Sequence, residues 1–423
     1  MGEYRIRCRA CNATVSSAAY HRRCPRCGGD VEFDYDLQHA RLDRDLPGIW
    51  RFIDLLPVTD PASVVTLDEG WTPLLPARLG EELGCRLWWK WEGVNPTGAQ
   101  KDRGLAVAIA KGRSFGFSGA IIASTGSAGL SSAAYAARAG MRHAVLVSRN
   151  APPERVLPMA ALGSAIFEVA GTIEDTLELL ALASDRLGAY ETTTYRRANP
   201  YQSEGAKTLG YEIYLQHGGV PDWIVIPVGG GGTLASVWRA FRDLQAMGLI
   251  DRLPKIAGVQ PAAYNALQIA ERQGLATEAE LRAIPFGDVP PTILVKLAHT
   301  FPYDGEEALA AIRTSGGTIL VATDEEALAA QRRIGAAEGI YAEPSSAVAL
   351  TAIEELVAAG RIRPDETVVG VLTGSGHRET HVLAARGELR MERITLENGL
   401  DRLAAYLGET ADPAGTPAVE DAR

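Results

Sequence analysis

Short, continuously apolar runs recur along this chain, and turns and helical patterns separate them. "AIIAST" (residues 120–125) leads into the small-residue helical pattern "SAGLSSAAYAARAG", which ends at Gly140, and "HAVLVS" (143–148) follows. Farther on, "DWIVIPV" (222–228), "KIAGVQ" (255–260), "TILVAT" (318–323) and "TVVGVLTG" (367–374) repeat the theme, with helices predicted over 324–338 and 345–360. Strands this apolar need cover on both faces, and helical connections between them favour parallel order. The expected fold class is α/β, built from doubly wound open parallel sheets. Such sheets collect ligands beyond the carboxyl ends of their strands, where loops enter helices.

A different unit precedes this region. Cys8, Cys11, Cys24 and Cys27 follow the spacing C-x2-C-x12-C-x2-C. Two such pairs close a tetrahedral shell of four thiolates, which points to structural Zn2+ in a ribbon-like knuckle over residues 1–35. The alternatives are two disulfides, or a knuckle without its metal. His21 reads as an exposed loop residue, with a substitute-ligand role as the other reading. Cys85 reads as a small buried apolar residue. Residues 36–69 are expected to be a linker with a helical piece around Trp50–Leu55, and the polar tail 409–423 is expected to be disordered.

Composition excludes several classes. A net charge of −10 and the lack of a basic stripe argue against a nucleic-acid partner. No apolar stretch reaches the roughly 20 residues that span a membrane. "MGEYRIRCRACNA" has no apolar core segment of a secretory signal and no Ser or Thr at position 6 for myristoylation. A cytoplasmic protein is expected.

Three loops and one lysine carry the candidate chemistry. Gly229, Gly230, Gly231 and Gly232 follow an apolar strand, and Thr233 opens a helix. Converging backbone N–H groups at a helix start suit one small phosphate, and the pattern matches neither a dinucleotide nor a triphosphate fingerprint. Thr373, in "LTGSGH", ends another strand with its hydroxyl towards the crevice. Ser124, Thr125, Gly126 and Ser127 precede a helix whose start suits a carboxylate, or form a plain cap and turn. Lys101, in "NPTGAQKDRG", starts a helix, where the positive dipole end and partial burial both favour the neutral amine. Such an amine suits Schiff-base chemistry or proton abstraction. The plainer explanation of the cluster is that Asp102 and Arg103 pair on the surface. A phosphate cup with an activated lysine suggests pyridoxal 5'-phosphate (PLP).

In "EGWTPLLPARLG", "KWEGVNPTGAQKDRG", "NPYQSEGAKTLGYEI" (199–213), "PVGGGG", "EPSSAVAL" (343–350) and "LTGSGH" the chain resembles the tryptophan synthase β-like, fold type II PLP enzymes, and within them the threonine synthases. The resemblance covers about residues 68–378. It implies two sheet domains with the cofactor between them, within a catalytic region at 70–408, the smaller domain (about 105–200) being inserted in the larger. It implies Lys101 as PLP-binding lysine and general base, Gly229–Gly232 and Thr233 as phosphate loop, and Thr373 at the pyridine nitrogen. It further implies that Ser124–Ser127 receive the substrate's α-carboxylate, that the substrate is a small amino acid, and that the protein is a homodimer.

Departures bear on the substrate. Ser127 stands where the family has an asparagine facing the cofactor's 3'-oxygen, and Gln202 stands where threonine synthases carry an arginine. Lys207, Arg196 and Arg197 are candidate replacements for that cation, with salt-bridge duty as the commoner fate of such residues. Lys296 and His299 read equally as substrate contacts or surface residues. Three functions follow: γ-elimination with β-replacement on O-phosphohomoserine or a related amino acid, a serine/threonine ammonia-lyase or cysteate synthase-like reaction, or a non-catalytic PLP- and zinc-binding protein.

Overall fold

The computed structural model describes residues 4–149, 151–170 and 173–380, with 382, 393, 395, 402, 403 and 406; the tail at 409–423 lies outside them. The chain begins with β1 (Tyr4–Cys8), β2 (Thr14–Val15) and β3 (Val31–Tyr35), an antiparallel sheet in the order β2-β1-β3. A 3-10 turn over Gly48–Leu55 follows. Next come β4 (Leu74–Pro76), α1 (Leu79–Leu83), β5 (Arg86–Trp91) and α2 (Lys101–Ser114). The run β6 (Gly119–Ala123), α3 (Ser127–Arg138), β7 (Arg142–Ser148), α4 (Pro153–Ala161), β8 (Ala165–Val169), α5 (Ile173–Leu187) and β9 (Tyr190–Glu191) builds a smaller sheet. Then α6 (Pro200–His217) leads to β10 (Trp223–Pro227), α7 (Gly232–Ala246), β11 (Lys255–Pro261), α8 (Ala266–Gln273), α9 (Glu278–Arg282) and α10 (Gly305–Ser315). The chain continues through β12 (Thr318–Ala322), α11 (Asp324–Glu338), α12 (Pro344–Ala358) and β13 (Thr367–Leu372).

The larger sheet has six strands in the order β12-β11-β10-β13-β5-β4, and only its edge strand β4 runs antiparallel. The smaller, β8-β7-β6-β9, is wholly parallel. The α/β expectation holds, and both faces of the larger sheet are covered. Alternation along β10 explains why: Ile224 and Ile226 pack with Leu234, Phe241 and Ile312, while Trp223 and Val225 pack with Leu350 and Ile353.

Within residues 36–69 the helical piece expected around Trp50–Leu55 forms as a buried 3-10 turn. Ile49, Trp50, Phe52 and Leu55 are fully buried, and Trp50 Nε1 donates to Glu69 Oε1 at 2.8 Å. Burial of such a turn stabilises by about 1.5–3 kcal/mol per large side chain. α2 and α6 cross with their backbones in contact. A Cβ on Gly205 would lie 2.2 Å from the Arg103 carbonyl oxygen, so glycine is required at that crossing. No described helix is long and apolar enough to cross a membrane.

Candidate active site

Lys101 opens α2, and the turn before it is pinned from two sides. Ala99 bridges to Gly374, and the Gln100 N–H donates to the Thr373 carbonyl at 3.0 Å. The Gln100 side-chain amide donates to Thr233 Oγ1, also at 3.0 Å. Thr373 Oγ1 and Ser346 Oγ share a hydrogen bond of 2.9 Å. The lysine turn is therefore fastened to the loop after β10 and to the loop after β13, which are neighbouring strands. From β10 the chain proceeds to β11 on one side while β13 lies on the other, so this is where strand order reverses and a crevice opens.

Electrostatics single out the same lysine. The chain has six lysines. Lys90 donates to Glu212, Lys111 to the Tyr4 hydroxyl, Lys207 to Asp243, Lys255 to Glu366 and Lys296 to Glu343. Among the described residues no hydrogen bond or ion pair holds the Lys101 amine. Burial pushes its pKa below the usual lysine value, and the Asp304 carboxylate opposes that shift in part. Asp304 is itself pushed up to about 6 by burial, although the Arg196 N–H donates to its Oδ1 at 3.0 Å. His299 is pushed down to about 4, first by burial and then by the Lys101 charge, so at neutral pH it is uncharged.

The glycine loop lies in the same crevice. Gly231 precedes α7 with a φ of 94°, and no side chain caps the helix. A Cβ on Gly229 would meet His299 Cδ2 at 2.7 Å, and one on Gly232 would meet Asp304 Oδ2 at 2.5 Å. On Gly230 the nearest atom would be the Tyr303 nitrogen, at 3.8 Å. The segment 296–304 thus covers the loop from one side and leaves room at Gly230, with uncapped N–H groups of α7 beside it. A cleft lined by Gln100, Lys101, Thr194, Gln202, Gly232 and Thr233 adjoins it. An anion cup, a neutral-leaning amine and the Thr373 hydroxyl are what PLP requires, and these residues fit it.

Across the crevice the Ser124 hydroxyl accepts from the Gly126 N–H at 3.1 Å, and Ser127 begins α3. Arg378 Nη1 donates to Ser127 Oγ at 3.0 Å, which ties this loop to the segment following Thr373. Thr125, the remaining member of the loop, is half-buried.

Residues 65–374 match the family described as Pyridoxal-phosphate dependent enzyme. This chain belongs to that family. It is 35% identical over 380 residues to the threonine synthase of Methanosarcina acetivorans, covering 88% of this chain and 91% of that protein. It is 33% identical over 420 residues to the threonine synthase of Methanocaldococcus jannaschii, covering 95% and 99%. In fold it is similar to a processed threonine deaminase isoform from Solanum lycopersicum, with a TM-score of 0.64 at 19% identity over 83% of this chain and 98% of that one. Maize serine racemase gives a TM-score of 0.62 at 19% identity, over 80% and 92%.

In this PLP-family protein the structure decides between readings that the sequence left open. Asp102 and Arg103 do not pair on the surface; both are fully buried. Asp102 accepts from the Thr97 N–H at 2.7 Å and from Thr97 Oγ1 at 2.6 Å, closing the turn before Lys101. Arg103 makes bidentate contacts, 2.6–2.7 Å, with Glu92 and with Glu212, and Lys90 donates to Glu212 at 2.7 Å. The candidate replacements for a cation at residue 202 are likewise committed elsewhere: Lys207 to Glu204 and Asp243, Arg197 to Asp30 and Glu278, Arg196 to Glu307. Lys296 is no free surface residue either, since it pairs with Glu343 and Glu379. Sequence reasoning missed Gln100, Ser346, Asp304 and Arg378. Ser346 lay within the quoted "EPSSAVAL" and Gln100 within the lysine motif, whereas Asp304 and Arg378 carried no local signal.

The four knuckle thiols converge. Their Sγ atoms all lie within 4.8 Å of one another, with Cys8–Cys27 at 3.5 Å and Cys11–Cys24 at 3.8 Å. A tetrahedral ion with Zn–S bonds of about 2.3 Å sets neighbouring sulfurs about 3.8 Å apart, whereas a disulfide needs about 2.05 Å. The donor set therefore fits zinc and not the disulfide alternative. His21 is outside the cluster, its backbone N–H donating to the Tyr201 hydroxyl at 3.3 Å. Cys85 is buried, as expected. The knuckle also touches the site's wall: Arg196 Nη2 donates to the Val31 carbonyl at 3.1 Å, and Arg9 joins Arg196 on Glu307.

Proposed function

We propose that this protein is a PLP-dependent threonine synthase-like lyase that converts O-phosphohomoserine and water into threonine and inorganic phosphate. The observation that carries the reading is Lys101: alone among six lysines it has no hydrogen bond or ion pair among the described residues, and it is fastened between the glycine loop and Thr373. Gly229–Gly232 and Thr233 would hold the cofactor's phosphate, and Thr373 and Ser127 would hydrogen-bond its ring. The Ser124–Ser127 loop takes the substrate's α-carboxylate. The Lys101 amine, kept partly neutral by burial, removes the α-proton and moves protons on the substrate carbons thereafter. When bound, PLP supplies the electron sink that makes this proton removable. The segment 296–304 and the buried carboxyl of Asp304 screen the amine from bulk water. The division into a knuckle (1–35), a connecting segment (36–69) and a catalytic region (70–408) with its insert at about 105–200 belongs to the same proposal, as does a homodimer in the cytoplasm.

The test is product analysis of the PLP-loaded protein given O-phosphohomoserine, serine and threonine separately. Phosphate and threonine in equal amounts from the first substrate support the reading. Ammonia and a 2-oxo acid from serine or threonine, without phosphate release, replace it with the ammonia-lyase reading.

The knuckle carries structural zinc in this account. Cys24→Ser is expected to lose the one ion per chain measured by metal analysis of the purified protein, and to lower the melting temperature, because the docking of Val31 and Arg9 on Arg196 and Glu307 loosens with it. A wild-type protein that holds no zinc, or a variant that keeps it, contradicts this.

A further inference from the structure

A phosphorylated amino acid brings a second anion into the site, and the position where threonine synthases carry an arginine is Gln202 here. Every other cation near the crevice is already spoken for. Arg196 pairs with Glu307, Lys296 with Glu343 and Glu379, and Arg155 lies 4.0 Å from Glu379. Arg378 is the exception. Its hydrogen bond, 3.0 Å to Ser127 Oγ, goes to a neutral hydroxyl, and no carboxylate among the described residues lies within ion-pair distance of it. The nearby carboxyl of Asp102 is bound to Thr97.

The placement of Arg378 fits a substrate contact. Its stem lies against the lysine turn: a Cβ on Gly98, whose φ is +80°, would come within 3.0 Å of Arg378 Cδ. Its guanidinium reaches the first residue of α3 on the opposite wall. Arg378 thus spans the mouth of the crevice a few residues in sequence after Thr373 and Gly374, where the turn before Lys101 is fastened. Ser127 is short where the resembling enzymes have asparagine, and its hydroxyl accepts from the guanidinium.

Resting on the function proposed above, we propose that Arg378 is the specificity-determining residue that binds the substrate's phosphate, supplying the charge that Gln202 does not. The loop N–H groups of Ser124–Ser127 suffice for the α-carboxylate, whereas a phosphate dianion calls for a charged, bidentate donor. The guanidinium exchanges its neutral Ser127 partner for the phosphate, so no direct ion pair is broken when substrate binds.

The experiment compares dissociation constants of O-phosphohomoserine and homoserine, read from the cofactor's absorbance, for the PLP-loaded wild type and for Arg378→Gln and Arg378→Lys. The wild type is expected to prefer the phosphorylated ligand, and Arg378→Gln to reduce that preference about ten- to hundredfold, the usual worth of a charge-assisted hydrogen bond. Arg378→Lys is expected to restore part of it. Inorganic phosphate should compete with substrate in the wild type and lose that competition in Arg378→Gln. A preference left intact by Arg378→Gln overturns this assignment and leaves the proposed function standing. Equal weakening of both ligands also overturns it, since it assigns Arg378 to the carboxylate or to structure. A wild type without any preference removes the proposed function and this inference together. Unchanged cofactor absorbance and melting temperature show that the variants are folded.

Discussion

Replacement of Lys101 by alanine is expected to lower turnover at least about 10³-fold, within the range that a positioned acid–base group contributes. It is also expected to abolish the visible absorbance band that PLP gives when bound by the wild type. No neighbour can take over: the other five lysines each have a hydrogen-bond partner. Stability should not fall with activity. Because burial depresses the Lys101 pKa, the unfolded chain binds more protons there than the folded chain. Folding stability therefore rises with pH between the depressed value and the ordinary lysine value, and at neutral pH the lysine is a burden on the fold. The variant should melt no lower than the wild type near pH 7 and should lack that part of the rise at alkaline pH. Thermal melts across pH read this directly. A variant that turns over normally, or that melts far below the wild type, contradicts the role given to this residue.

Arg103→Ala should behave in the opposite way, with a destabilisation of about 3–5 kcal/mol, the cost of leaving buried charges unpaired. Glu92 and Glu212 are fully buried and would share only Lys90. Burial alone pushes the Glu212 carboxyl up, but Arg103 and Lys90 together pull it down to about 2. With a folded pKa below the unfolded one, this carboxylate contributes stability above the unfolded pKa, and that contribution is lost as pH falls towards 2. Removing Arg103 forfeits much of it and loosens the start of α2, where Lys101 sits. Urea denaturation at neutral pH is the measurement; a midpoint within error of the wild type would mean that the cluster does not hold the helix.

The contrast between these variants shows what the sequence disclosed. The strands of the larger sheet that read as continuous apolar runs, β10 to β13, were legible because they carry no charge in their interiors; Lys255 stands only at the start of β11. β5 was not: "RLWWKW" carries Lys90 in its middle, and a lysine mid-strand looks like surface until Glu212, 122 residues away, is placed against it. The same blindness left surface pairing as the plain reading of Arg103, which is buried. Local spacing found Lys101, the glycine loop, Thr373 and the four cysteines, since each is defined by its immediate neighbours. Asp304 and Arg378 depend on contacts with Gly232 and Ser127 from distant segments, and no window of sequence shows those. Likewise the turn at Gly48–Leu55 is core only because Glu69 and the helices around it supply partners.

The most direct test of the account is where PLP attaches. The protein is loaded with PLP, treated with borohydride to fix the linkage, digested and mapped by mass spectrometry. The account predicts one modified site, Lys101, within the peptide that contains "NPTGAQKDRG". Modification at Lys111, Lys207 or another lysine, or none at all after saturation with PLP, would contradict it.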